Sequence, residues 1–138
     1  MMDYTKHLIQ NTSSITDALK KLDHLAKDAI LFVVDDQNQL VGSLTDGDVR
    51  RGLLKGATID QEVTTIIQSS PKFIRKGERD IIKLIEYREN NFRILPVLAK
   101  DSDKIVNIIN FRLNVIIETA DVVALYINFG YAGISAFV

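Results

Sequence analysis

The chain repeats itself, and this feature limits what it can fold into more than any other. Shifted by 65 positions, HLIQ (7–10) falls on KFIR (72–75), and AILFVVDDQNQLVGSL (29–44) falls on ILPVLAKDSDKIVNII (94–109). In the second pair Phe32 meets Val97, Val33 meets Leu98, Leu40 meets Ile105 and Leu44 meets Ile109. The helix-patterned stretches between fit better at an offset of 66, where Ile15, Ala18 and Leu19 fall on Ile81, Leu84 and Ile85. A one-residue adjustment must follow. Self-similarity at a fixed offset marks two copies of one supersecondary unit. Neither copy is long enough to bury a good core alone, so two copies packed face to face about a pseudo-twofold axis are expected.

Each copy reads the same way. A short strand (7–10; 72–75) leads through a polar segment, NTSS or KGER, into a helix with apolar residues three and four apart. Ser13 or Ser14 is the expected N-cap of the first helix. Two strands follow, 30–34 with 40–45 and 94–98 with 105–109, joined by the polar turns DDQNQ and KDSDK. A closing helix is expected over 47–55 and again over 111–118. The fold class is therefore α/β (α+β), with β-α-β-β-α in each copy. Residues 1–65 hold the first repeat and connector, 66–118 the second repeat, and 119–138 an apolar tail. Gly56 is expected to stop one helix, and Asp60 to cap a short one in the connector.

Composition excludes whole classes of chemistry. The sequence has no cysteine, so disulfides, thiolate zinc sites and thiol catalysis are ruled out. A formal net charge of −1 gives no general attraction to nucleic acid or anionic membrane. The N-terminal MMDYTKHLIQ lacks the apolar core of a signal peptide, and a cytoplasmic location is expected. The tail segment 122–138 is interrupted by Asn128 and two glycines, so it does not read as a membrane span. It is too apolar to be left in water. It is expected to be ordered, packing on its own module or on a partner copy, and to contribute to self-association. GLLKGAT lacks the spacing of a phosphate-binding P-loop, and Asp36-x-Asn38-x-Leu40 lacks the remaining ligands of a calcium loop. His7 and His24 read as part-buried or surface residues with no catalytic partner.

The segment VGSLTDGDVRRGLLKG (41–56) carries the chemistry. An apolar strand ends in Thr45, Asp46, Gly47 and Asp48, and two arginines follow. The unpaired N–H groups of a helix start favour an anion, and Thr45 can donate to a phosphate there. Asp48, one turn on, can accept both hydroxyls of a vicinal ribose diol. Asp46 would repel phosphate and is expected to point away or to cap the helix. Arg50 and Arg51 add positive charge, although helical geometry lets only one face a ligand; Arg50 is taken as that residue.

The β-α-β-β-α order, the repeat length and the string Gly42-Ser43-Leu44-Thr45-Asp46-Gly47-Asp48-Val49 resemble a cystathionine-β-synthase (CBS) domain. The resemblance covers residues 6–116, and two such domains in tandem make a CBS pair, or Bateman module. A narrower likeness, in AILFVVDDQNQLVGSLTDGDVRRGLLKG and NIINFRL, is to the CBS pairs that precede the catalytic domain of some bacterial sugar-phosphate nucleotidyltransferases. The family resemblance implies an adenine nucleotide (AMP, ADP or ATP class) or S-adenosylmethionine as a regulatory ligand, no required cofactor, and clefts shared between repeats. Carried over, the Thr45/Asp48 cleft would be completed by Ile74, Arg75, Lys76 and Gly77 and by Arg93, Ile94, Leu95 and Pro96. Arg75, Lys76 and Arg93 would then stand on the phosphate side, with Ile74 and Leu95 against the base. In the second cleft Thr45 becomes Asn110 and Asp48 becomes Leu113. Leucine cannot accept a diol, so that cleft is expected to be empty or to take something other than a ribonucleotide.

Against this stands the plainer reading of Thr45 and Asp48 as a helix cap. Three functions follow. The first is a non-catalytic regulatory module that binds one nucleotide, fused to or acting on a sugar-phosphate nucleotidyltransferase and dimerising through its helices. The second is a ligand-free dimerisation module. The third is a small enzyme with its chemistry in the tail.

Overall fold

A computed structural model of the chain describes residues 3–77, 81–111, 115–119, 122–128 and 133–137, with the strands beyond residue 111 described by their backbone. It divides into two compact units, Met1–Pro71 and Lys72–Val138. The architecture is mixed α+β, as the repeat predicts.

The first unit runs β1 (Leu8–Gln10), α1 (Ile15–Leu25), β2 (Ile30–Val34), β3 (Leu40–Thr45) and α2 (Asp46–Leu54). Ser14 caps α1 by accepting the N–H of Asp17 at 3.1 Å. The spacing of Ile15, Ala18 and Leu22 puts all three on the buried face of this helix. The helix is the crossover that brings β1 parallel to β2, and a tight turn then returns β3 antiparallel. Asp35 holds that turn, taking the N–H groups of Gln37 and Gln39 at 2.9 Å each. Asn38 adopts the positive φ of 64° that the turn needs. Gly56, at φ +106°, ends α2. The short turn of the connector, Val63–Thr65, starts from Glu62 without a side-chain cap, so Asp60 does not cap it.

The connector then becomes part of the first sheet's edge. Ser43 and Gln68 exchange backbone hydrogen bonds at 3.0 and 2.9 Å. Ile66 and Ile67 pack against the core that Ile9, Leu31, Val33, Leu44 and Val49 build.

The second unit repeats the order through β4 (Ile74–Arg75), α3 (Ile81–Glu89), β5 (Ile94–Leu98) and β6 (Ile105–Asn110). Ile9 faces Val33 in one unit, and Ile74 faces Val97 in the other. Ile30 faces Thr45, and Ile94 faces Asn110. Both hairpins break register at the same step, Val33/Val34 and Val97/Leu98.

These registers correct the sequence alignment. The offset is 65 at β1 and β3 but 64 at β2, where Ile30 corresponds to Ile94. Val33, not Phe32, is the counterpart of Val97. The hairpin loop is one residue longer in the second unit (99–104 against 35–39), which restores the offset. A one-residue slip normally shows because it turns polar residues inward. Here Leu31 to Val34 and all of β5 are buried, so no alternation exposed it.

Of the closing helix expected over 111–118, residues 112–114 lie outside the described residues, and the rest is not helical. Val115–Thr119 is strand β7, antiparallel to β8 (Val122–Asn128), which pairs with β9 (Gly133–Phe137). The sequence VIIET is mostly β-branched, which suits a strand better than a helix. Among the described residues no helix is long and apolar enough to cross a membrane.

Candidate functional site

Thr45 is the last residue of β3 and the N-cap of α2, with extended backbone at φ −122°, ψ 169°. Its Oγ1 accepts the N–H of Asp48 at 3.3 Å and donates to Asp48 Oδ2 at 2.8 Å. The backbone N–H of Thr45 donates to the same Oδ2 at 2.9 Å. Threonine and aspartate thus form a reciprocal capping box. The other oxygen, Oδ1, accepts from Arg51 Nη2 at 2.7 Å and from Gln68 Nε2 at 3.0 Å.

Asp48 is buried, yet its carboxylate has four donors, which fill its acceptor sites. Burial pushes its pKa up. The hydrogen bonds from Gln68, Thr45 and Arg51 pull it down and prevail, so it lies below the ordinary aspartate value. Asp48 therefore stays ionised well into acid.

A cleft of about 430 Å³ opens beside this carboxylate, lined by Asp48, Arg51, Gly52, Lys55, Thr65 and Gln68 among others. Two glycines let the connector close its wall. A Cβ on Gly42 would lie 2.6 Å from the carbonyl oxygen of Gln68, and one on Gly52 would lie 2.3 Å from Cγ2 of Ile66. The cleft offers one carboxylate, two cations and side-chain amide and hydroxyl groups. That set suits a ligand carrying both hydroxyls and negative charge. Sequence reasoning did not find Gln68, Lys55 or Thr65. The close-approach glycines were the available signal, and they do not say which segment approaches.

The sequence reading takes Arg50 as the arginine that faces the site. Arg51, not Arg50, turns onto Asp48, because three residues along a helix return to the same face. Arg50 and Asp46 are exposed.

Within the second unit the predicted site residues divide. Arg75 holds the β5–β6 hairpin: it donates to the carbonyls of Ala99 and Ser102 at 3.2 and 2.8 Å and pairs with Asp103 at 2.6 Å. Its guanidinium also lies 5.1 Å from the centre of the Phe73 ring. Arg75, expected on the phosphate side, thus directs these hydrogen bonds to the hairpin. Ile74 and Leu95, expected against a base, are buried instead in the unit's own core with Leu84, Val97, Ile109 and Phe111. Ile94 and Pro96 are buried strand residues. Lys76 and Arg93 are exposed, and Gly77 adopts a φ of 89°. Asn110 occupies the register position of Thr45 and is buried. Leu113 lies outside the described residues.

His7 is fully buried rather than part-exposed. Its Nδ1 lies 2.9 Å from the carbonyl oxygen of Ile30 and so carries the proton. Burial lowers its pKa, with the Ile30 bond opposing.

Comparison with known proteins places these features. Residues 7–55 match the family model described as CBS domain. An uncharacterized protein of Helicobacter pylori strain J99 is 32% identical over 105 residues, covering 76% of this chain and 32% of that protein. Its counterpart in strain 26695 is 31% identical over the same length. The match thus spans about a third of the length of these relatives.

Among solved structures, CBSX2 in complex with AMP superposes with a TM-score of 0.61 at 27% identity, covering 75% of this chain and 80% of that one. The CBS domain pair of protein MJ0100, in complex with 5′-methylthioadenosine and S-adenosyl-L-methionine, gives 0.60 at 22%, covering 76% and 84%. Protein MJ1225 from Methanocaldococcus jannaschii gives 0.64 at 21%, covering 76% and 43%. The last two speak to the fold alone. Residues 7–55 of this chain thus match the CBS-domain model, and the fold of the chain is one shared with solved CBS pairs.

Proposed function

We propose that this chain is a non-catalytic regulatory module that binds an adenine nucleotide at the Asp48 cleft. The observation that carries the reading is the buried, ionised Asp48 beside Arg51 and Lys55 in one cleft. The likeness to CBSX2, solved with AMP, supports adenine as the base. A carboxylate for the ribose and cations for the phosphate are the two chemistries a nucleotide needs. By the family resemblance, Lys76, Gly77 and Arg93 and the backbone of Ile94, Leu95 and Pro96 contribute from the second repeat. The module works in the cytoplasm, dimerises through its helices and regulates a sugar-phosphate nucleotidyltransferase, fused to it or acting beside it. Regulation requires the nucleotide to bind two conformations of the module with different affinity.

A thermal-shift and calorimetric screen with AMP, ADP, ATP, S-adenosylmethionine and CMP tests this directly. Stabilisation by adenine nucleotides is expected, lost in Asp48→Ala and reduced in Lys76→Ala and Arg93→Ala. Assay of nucleotidyl transfer to a sugar phosphate, with and without AMP, tests the partner.

A second reading is favoured by one observation. Asp48 is already saturated by Thr45, Arg51 and Gln68, so its burial as a carboxylate needs no ligand. In that reading the chain is a ligand-free dimerisation module. Leu54 on α2 and Ile82 on α3, 81% and 78% exposed, supply apolar surface for a second copy. No shift with any nucleotide, together with a dimer that Leu54→Glu dissociates, would select it.

A further inference from the structure

We infer that Arg51 makes this site demand a phosphorylated ligand: it occupies the ligand's place on Asp48 and leaves only when a phosphate takes it over. The inference rests on the nucleotide reading above and adds how the site would discriminate.

The argument starts from the full carboxylate. Asp48 has no spare acceptor, so an incoming ribose hydroxyl must displace a donor. Of the two donors on Oδ2, the Thr45 N–H belongs to the capping box, and the Thr45 hydroxyl is held beside it because it also accepts the Asp48 N–H of the first turn of α2. Gln68 is held in place because its backbone is paired to Ser43 in both directions. Arg51 reaches Asp48 from solvent, with its side chain 55% exposed against 4% for Asp48. It is the donor that can move at least cost.

Exchanging Arg51 for a neutral hydroxyl is unfavourable by itself. It leaves a buried carboxylate without its counter-charge and a guanidinium without its anion. A phosphate on the same ligand reverses the balance, since guanidinium binds it by a two-pronged, charge-assisted pair. Lys55 lines the same cleft and adds attraction. A nucleotide therefore completes the exchange, and a nucleoside does not.

Gly47 independently supports this role. A Cβ there would lie 3.1 Å from Arg51 Nη1 and 3.4 Å from Nη2, so the guanidinium lies across the first turn of α2 in space that only glycine leaves fully open. The TDGD string thus combines a cap with a seat for the arginine.

Calorimetric titration of the full chain with AMP and with adenosine tests the inference. The wild type should favour AMP by about tenfold or more, the scale of one charge-assisted pair. Arg51→Met, which keeps the stem and removes the charge, should weaken AMP and tighten adenosine, bringing the ratio towards one. Gly47→Ala, which crowds the guanidinium, should move the ratio the same way. If AMP binds and the ratio is unchanged in Arg51→Met, or both ligands weaken equally, the role of Arg51 is overturned while nucleotide binding stands. If the wild type binds neither ligand, both the nucleotide reading and this inference fall.

Discussion

Gln68 donates its side-chain amide to Oδ1 of Asp48 at 3.0 Å, from a segment twenty residues further along the chain. The start of α2 and the connector that leaves the first unit are thereby joined at one buried carboxylate. Gln68→Ala removes that donor and leaves Oδ1 with Arg51. The expected cost is about 1–3 kcal/mol, read from the urea midpoint at unchanged slope. Gln68→Glu should be worse at neutral pH, because it sets a second carboxylate against the first, and should recover as that pair takes up a proton in acid.

Two buried groups, Asp48 and His7, contribute to the pH dependence of stability with the same sign. The pKa of Asp48 is lowered on folding, so its contribution is complete above the unfolded value of about 3.9 and is lost as pH falls through the lowered value. His7 is also lowered, chiefly by burial. Unfolded His7 takes a proton near pH ~6.5, whereas the folded residue resists until lower pH. Stability should therefore decline from about pH 6.5 downward through His7, and decline again in strong acid through Asp48. Urea titrations across this range should show His7→Gln flattening the upper part and Asp48→Asn the lower. Equal slopes in wild type and variants would contradict the assignment.

Gly52 sits inside α2, where alanine would ordinarily help a helix by about 1 kcal/mol. Its missing Cβ is needed here, since the atom would come within 2.3 Å of Ile66. Gly52→Ala should destabilise by about 1–3 kcal/mol, the usual cost of overpacking. Adding Ile66→Ala should recover part of that loss, and thermal unfolding of the double-mutant cycle measures the coupling.

Arg75 spends its guanidinium on the β5–β6 hairpin. Arg75→Met should loosen that hairpin and speed hydrogen exchange at the Ala99 amide, which pairs with the carbonyl of Lys104 at 2.8 Å. Exchange at the Asn11 amide, bonded to Val34 in the first unit at 2.8 Å, should be unaffected. A variant that exchanges at the wild-type rate at Ala99 would show that the side chain is not what holds the hairpin.

The reliable signals in the sequence were local ones. Ser14 as a cap, the polar turn of Asp35, and the spans 30–34 and 40–45 all arise from residues within a few positions of one another. The closing helix expected over 111–118 follows the first repeat as its template, and the second repeat departs from it. The VIIET segment carries its own β-branched preference, and it forms β7. The one-residue slip between Phe32 and Val97 was invisible, because a strand buried on both faces has no polar residue to mark its register.

By itself the sequence determined that the chain holds two copies of one unit, and that Thr45 and Asp48 stand together at the start of a helix. Those facts follow from periodicity and spacing, which act over short stretches of chain. Tertiary structure alone decided what meets Asp48 from outside its own turn. Gln68 arrives from the connector because Gly42 and Gly52 leave it room, Arg75 is taken by its own hairpin, and Ile74 and Leu95 are claimed by a core. A side chain has only so many hydrogen bonds and faces to give, and which neighbours claim them is settled by packing across residues far apart in sequence.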